Sequence, residues 1–196
     1  MKLIYAADLH GNHSQYEDLL AIAEQYKADA VVLGGDLLPK RRLLEDGGWG
    51  DHLSVDEAIG VQLQYMKRLL RILGRFRRTR SCAVLLMLGN DDVRIHEEFF
   101  ERSCAEEGLL TLDMKCQPVK DTQFLGLSGV TFTPFLLKDW ESWDLKRDEK
   151  ISPDSIDHRA PGIILTKPRS EYIPLSEQLS ALSKMNKLRD PKKTIL

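Results

Sequence analysis

The stretch LIYAADLHGNHSQYEDLLAIAEQYKADAVVLGGD, residues 3–36, decides the fold class of this 196-residue chain. It opens with an apolar run, Leu3 to Ala7, and closes with a second, Ala30 to Leu33. Uninterrupted apolar runs of this length mark strands buried on both faces, as in parallel sheets. Between them, from Asn12 to Tyr26, Leu19, Leu20, Ile22 and Ala23 recur at helical spacing, and Asn12 or Ser14 is placed to cap the first turn. Strand, helix and strand make a βαβ unit, whose crossover should be right-handed. The two parallel strands then deliver Asp8 and Asp36 to the same edge of the sheet.

Working outward, a third apolar run, Ala83 to Leu88, ends in the same way. Three strands therefore run into three short motifs: Asp8-Leu9-His10, Gly34-Gly35-Asp36 and Gly89-Asn90-Asp91. Open α/β sheets bind ligands just beyond the carboxyl ends of their strands, so these oxygen and imidazole groups are expected to converge. Each residue alone is an ordinary turn former; together they read as part of a metal site. Mixed oxygen and nitrogen ligation suits Mn, Fe or Zn better than Ca. The glycines beside Asp36 and Asn90 allow close approach of backbone and ligand.

At these residues the chain resembles the calcineurin-like metallophosphoesterase superfamily. Its core pattern is D-x-H, then G-D, then G-N-H or G-N-D, then a lone His, then G-H-x-H. The first three blocks are matched within Met1 to Val93. The resemblance implies a four-layer αββα sandwich, with Asp8 and His10 on a first metal, Asp36 bridging two metals, and Asn90 on the second. It also implies hydrolysis of a phosphodiester or phosphomonoester by a metal-bound hydroxide. Asp91 stands where many members have a catalytic His, and an aspartate there could act as a general acid only with a raised pKa. Asn12 and His13, at the start of the first helix, are the candidate substrate-binding residues, since helix N-termini attract phosphate. The lone His and G-H-x-H do not follow, so residues 1–196 are expected to be one domain lacking its C-terminal strands. The complete family site holds two divalent ions; this chain is expected to hold one or none. The alternative is a non-catalytic protein-binding scaffold with the same fold. A third reading is an unrelated doubly wound domain that binds phosphate at the Asn12 helix terminus.

Composition bounds the remaining choices. A formal net charge of -2 offers no global polycation for nucleic acid. The basic run from Lys67 to Arg80 reads as a solvated helix end with cations near the C-terminal dipole. Cys82, Cys104 and Cys116 lack metal or disulfide spacing and read as reduced core thiols. No stretch has the length of a membrane span, and a cytoplasmic location is the default. A sheet face left uncovered by missing strands would make self-association possible.

The remaining segments are less informative. Pro39 to Leu53 reads as a Gly-rich loop beside the site, followed by a helix from Ser54 or Val55 to about Phe76, and another from Ile95 to Glu107. Leu109 to Leu112, Val119 and Phe124 to Val130 are expected in a second sheet. Lys138 to Tyr172 reads as an irregular excursion, Pro174 to Lys187 as a helix, and Lys192 to Leu196 as a strand. Asp92 is expected to be an N-terminal helix carboxylate, His96 exposed, Trp49, Trp140 and Trp143 packing residues, and His52 and His158 without assigned roles.

Overall fold

The first sheet takes its strands in chain order. In the computed structural model, which describes residues 1–40, 55–131, 133, 137, 139–142, 173–185 and 193–195, β1 (Leu3–Ala6), β2 (Ala30–Gly34), β3 (Ala83–Met87) and β4 (Leu110–Thr111) lie side by side. All are parallel, with Leu3 opposite Ala30, Ala30 opposite Ala83, and Leu85 opposite Leu110. Right-handed crossovers between strands laid down in order must put every connecting helix on one face. The core has that arrangement. α1 (His13–Gln25), α2 (Val55–Thr79) and α3 (Glu97–Glu107) supply Tyr16, Leu20, Met66, Leu70, Leu73 and Phe100, which pack on Val31, Leu33, Val84 and Leu86.

The opposite face of the sheet presents Ala30, Val32 and Leu85. Alternation along a strand sends these residues away from the helices. They meet Leu112, Val119 and Phe124, which belong to or border a second sheet. That sheet is the antiparallel hairpin β5 (Lys115–Val119) and β6 (Thr122–Gly126), joined by β7 (Thr194–Ile195) running parallel to β6. Pro118 is tolerated in β5 because β5 pairs on one side only among the described residues. Helices, parallel sheet and second sheet account for three of the expected layers. α4 (Leu175–Met185) buries Leu175 and Leu182, with Leu175 close against Gly129 beyond β6.

Several expectations are corrected. Leu110–Thr111 belongs to the first sheet, not the second, because the chain leaving α3 returns alongside β3. The strand expected from Phe124 to Val130 is Thr122–Gly126. The helix expected from Ile95 begins as a 3₁₀ turn, Arg94–His96, before α3. Cys82 and Cys104 are buried free thiols as expected, while the free Cys116 is only half-buried.

Candidate metal centre

β1 and β2 end together, and the loops that leave them stay paired. Asp8 N–H donates to Gly35 O (3.2 Å), His10 N–H to Asp36 O (2.8 Å) and Gly11 N–H to Leu37 O (3.0 Å). Asp8, His10 and Asp36 are three of the six non-glycine residues with positive φ among the described residues, at 59°, 45° and 53°. A left-handed residue costs about 1 kcal/mol or more, and Asp and His are among the types that tolerate it best. These turns break strand alternation, so residues two apart reach one spot. One ligand atom from each of the three lies within 4.8 Å of the others.

The third loop meets the second with no room for a side chain. A Cβ on Gly89 would lie 2.2 Å from Asp36 N and 2.3 Å from Asp36 Oδ1. Gly35, at φ 104°, would place its Cβ 2.9 Å from Gly89 Cα. Asp91 N–H donates to Asp36 Oδ1 at 2.9 Å, which ties the loops across the contact. Asn90, half-buried, lies between Gly89 and Asp91. Gly89→Ala must push this loop off Asp36. We expect a loss of about 2 kcal/mol in stability, in the usual range for overpacking, together with weaker divalent binding, read by thermal melts with and without Mn²⁺.

Asp92 has a different role from the N-terminal helix carboxylate expected of it. It is fully buried and accepts from Leu37 N–H (3.0 Å), Leu38 N–H (2.7 Å) and Gly89 N–H (2.8 Å). Its carbonyl accepts the indole N–H of buried Trp140 (2.7 Å). Burial pushes its carboxyl up to about 7, against three donors that favour the charged form. His96, expected at the surface, is buried with Nε2 2.9 Å from Ile59 O. Gln62 of α2, also buried, bridges Pro39 O, Asp91 O and Val93 N. A sequence signal for Gln62 existed: it is the one polar position on the buried stripe Ala58, Gln62, Met66, Leu69, Leu73.

The electrostatics suit a cation. Burial pushes the Asp36 carboxyl from 3.8 up to about 6, with Asp91 and Asp8 adding repulsion. Burial, and then the charge of Lys40, hold His10 below its ordinary value, which keeps the imidazole neutral as a metal ligand requires. His10 Nδ1 is buried without a hydrogen-bond partner, and its Nε2 is 3.8 Å from Asp8 Oδ1. A buried nitrogen without a partner is costly, and a ligand atom of His10 lies within 4.8 Å of one from each of Asp8 and Asp36, within reach of a single ion. The three residues therefore fit a metal. Asp8 is 70% exposed in its side chain, so the group opens to solvent on that side.

Other expected site residues are placed as follows. Asp91 Oδ2 is 2.6 Å from Lys40 Nζ, an ion pair that sequence reasoning missed because Lys40 read only as part of the Pro39 to Leu53 loop. Asn12 Oδ1 caps α1, accepting from Gln15 N–H (3.3 Å) and Ser14 Oγ–H (2.8 Å). His13 Nε2 lies 3.3 Å from Glu17 Oε1 along α1. His52, His158, Trp49 and Trp143 lie outside the described residues, as do most of the 39–53 and 138–172 segments.

Comparison with known proteins adds the family. No curated protein matches the chain. Among solved structures, TT1561 of Thermus thermophilus is similar at 13% identity and a TM-score of 0.55, over 96% of this chain and 63% of that one. Yfce, a phosphoesterase from E. coli, matches at 16% identity and a TM-score of 0.36, over 76% of this chain and 75% of that one. The chain spans 54% and 63% of the length of two solved chains it matches. The first of the named likenesses supports the fold; the second is too distant to add to it. The profile of the calcineurin-like phosphoesterases matches residues 1–162, which include all three strand-end loops, and the chain belongs to that family.

Proposed function

We propose that this chain is a divalent-metal-dependent phosphoesterase hydrolysing a phosphodiester or phosphomonoester. In the complete family site Asp8 and His10 would hold a first ion, Asp36 would be shared by two, and Asn90 would hold the second. The observation that carries the reading is the convergence of Asp8, His10 and Asp36 with a buried, unpartnered imidazole nitrogen. Mn, Fe or Zn fits this ligand set better than Ca. When bound, such ions polarise a phosphoryl oxygen and make a bound water more acidic.

The chain's own groups then divide the work. The paired loops fix Asp8, His10 and Asp36 before any ligand arrives, so little ordering remains to be done on binding. The ester would approach from the open Asp8 side. Asn12, which caps α1, and His13, which opens it, follow shortly after His10, and we assign them to the rim of the substrate site, Asn12 through the helix end it caps. No helix among the described residues is long and apolar enough to cross a membrane. The free thiols fit a reducing cytoplasm. Nucleic acid is not the expected partner, and self-association is open to sedimentation measurements.

The test is hydrolysis of an aryl phosphodiester and an aryl phosphomonoester with added Mn²⁺ or Zn²⁺. We expect cleavage of at least one, loss on chelation, and a fall in kcat/KM of about 100-fold or more in His10→Ala, since losing even an outer partner of a metal ligand costs about 10–100-fold. A protein that binds metal tightly yet cleaves neither ester would favour the non-catalytic scaffold.

A further inference from the structure

Lys40 follows Asp36 by four residues, in the segment leaving β2. Its Nζ is 2.6 Å from Asp91 Oδ2, with the two side chains 35% and 16% exposed. Its partner Asp91 donates its backbone N–H to Asp36 Oδ1 at 2.9 Å, which places the ion pair beside the proposed metal group. Ion pairs at a surface are usually adjustable and worth little. This one joins two backbones that are locked. Gln62 Nε2 donates to Pro39 O at 3.2 Å and to Asp91 O at 3.0 Å, and Gln62 is 0% exposed. Leu38 N–H is held by buried Asp92. The residues before Lys40 and around Asp91 are thus fixed from both sides, and the ion pair inherits that geometry.

An ammonium beside a cation site opposes metal loading by like charge. Asp91 offsets that repulsion while the site is empty of substrate. A phosphate ester changes the balance, because it brings anionic oxygens that the metals alone do not cover. Lysine suits such a role, since three donors on a flexible stem can keep one carboxylate and still reach a phosphoryl oxygen.

Resting on the phosphoesterase reading above, we propose that Lys40, latched by Asp91, is a substrate-binding residue that contacts a non-bridging phosphoryl oxygen. Asp91 is then a positioning residue for Lys40, and in the ion pair it serves as an acceptor of hydrogen bonds. A cation brought by the β2 loop supplies the charge that the Gly89-Asn90 loop lacks at its acidic third position.

Inorganic phosphate is the probe. The Mn²⁺-loaded chain is freed of excess metal, its metal content is counted by elemental analysis, and phosphate is titrated by calorimetry into wild type, Lys40→Met, Lys40→Arg and Asp91→Asn. We expect Lys40→Met to keep its metal and to bind phosphate about 10–100-fold more weakly, the loss of one charge-assisted bond. Lys40→Arg should recover most of the affinity, and Asp91→Asn should fall between. Phosphate affinity unchanged in Lys40→Met would overturn the proposal and leave the phosphoesterase reading standing. Loss of metal together with phosphate in Lys40→Met would also overturn it, since Lys40 would then support the site structurally. A wild-type chain that retains no metal would instead overturn the phosphoesterase reading, and this proposal with it.

Discussion

Asp36→Asn is expected to abolish divalent binding and, without metal, to make the protein more stable at neutral pH. Burial lifts the Asp36 carboxyl from 3.8 to about 6. Between those values the folded state binds more protons than the unfolded one, so stability contributed by this group falls as pH rises. Above about pH 6 the folded chain holds a desolvated charge. The shift corresponds to at most about 3 kcal/mol, and about 1–2 kcal/mol after allowing for partial solvation. Asparagine removes that charge and keeps an oxygen to accept Asp91 N–H, which now bonds Oδ1. In chelator at pH 7.5 the variant should melt about 3–6 °C above wild type, and the gap should close toward pH 4. Added Mn²⁺ should reverse the order, because only wild type gains the binding free energy. A variant less stable than wild type in chelator at pH 7.5 would contradict this reading of Asp36.

Asp92→Ala is expected to cost about 4 kcal/mol, because it leaves three backbone N–H groups without their acceptor at about 1–3 kcal/mol each. The donors are Leu37, Leu38 and Gly89, on two loops that Asp92 holds together. Asp92→Asn should cost less, since one oxygen remains, but its amide N–H would face a backbone N–H. Both losses are read by urea denaturation, with Cm falling and the slope unchanged. The effect reaches the metal group too, as the same loops carry Asp36 and Asn90. An alanine variant within about 1 kcal/mol of wild type would show that these bonds do not set the loop geometry.

The grouping of Asp8, His10 and Asp36 was legible in the sequence because each lies just past an apolar run, and parallel strands bring their ends to one edge. Asp8, His10 and Asp36 therefore meet as expected. Asp92 was not legible, since two of its three partners are backbone groups of a loop more than fifty residues away. His96 sits near Arg94, Glu97 and Glu98, a charged setting that reads as surface, yet it faces a carbonyl of α2. Leu110–Thr111 is recognisably a strand, but which sheet it joins depends on how α3 returns the chain to β3. Lys40 fails for a similar reason. A lysine after a proline looks like solvent-facing loop until the Gln62 bridges place it beside Asp91.

The most direct measurement is anomalous diffraction at the Mn edge from crystals of the chain grown with Mn²⁺, with Asp36→Asn treated identically. The expected result is a peak within coordination distance of Asp8, His10 and Asp36 in wild type and none in the variant. Wild-type crystals with no peak there, or a peak undiminished in Asp36→Asn, would contradict the assignment of this group as a metal centre.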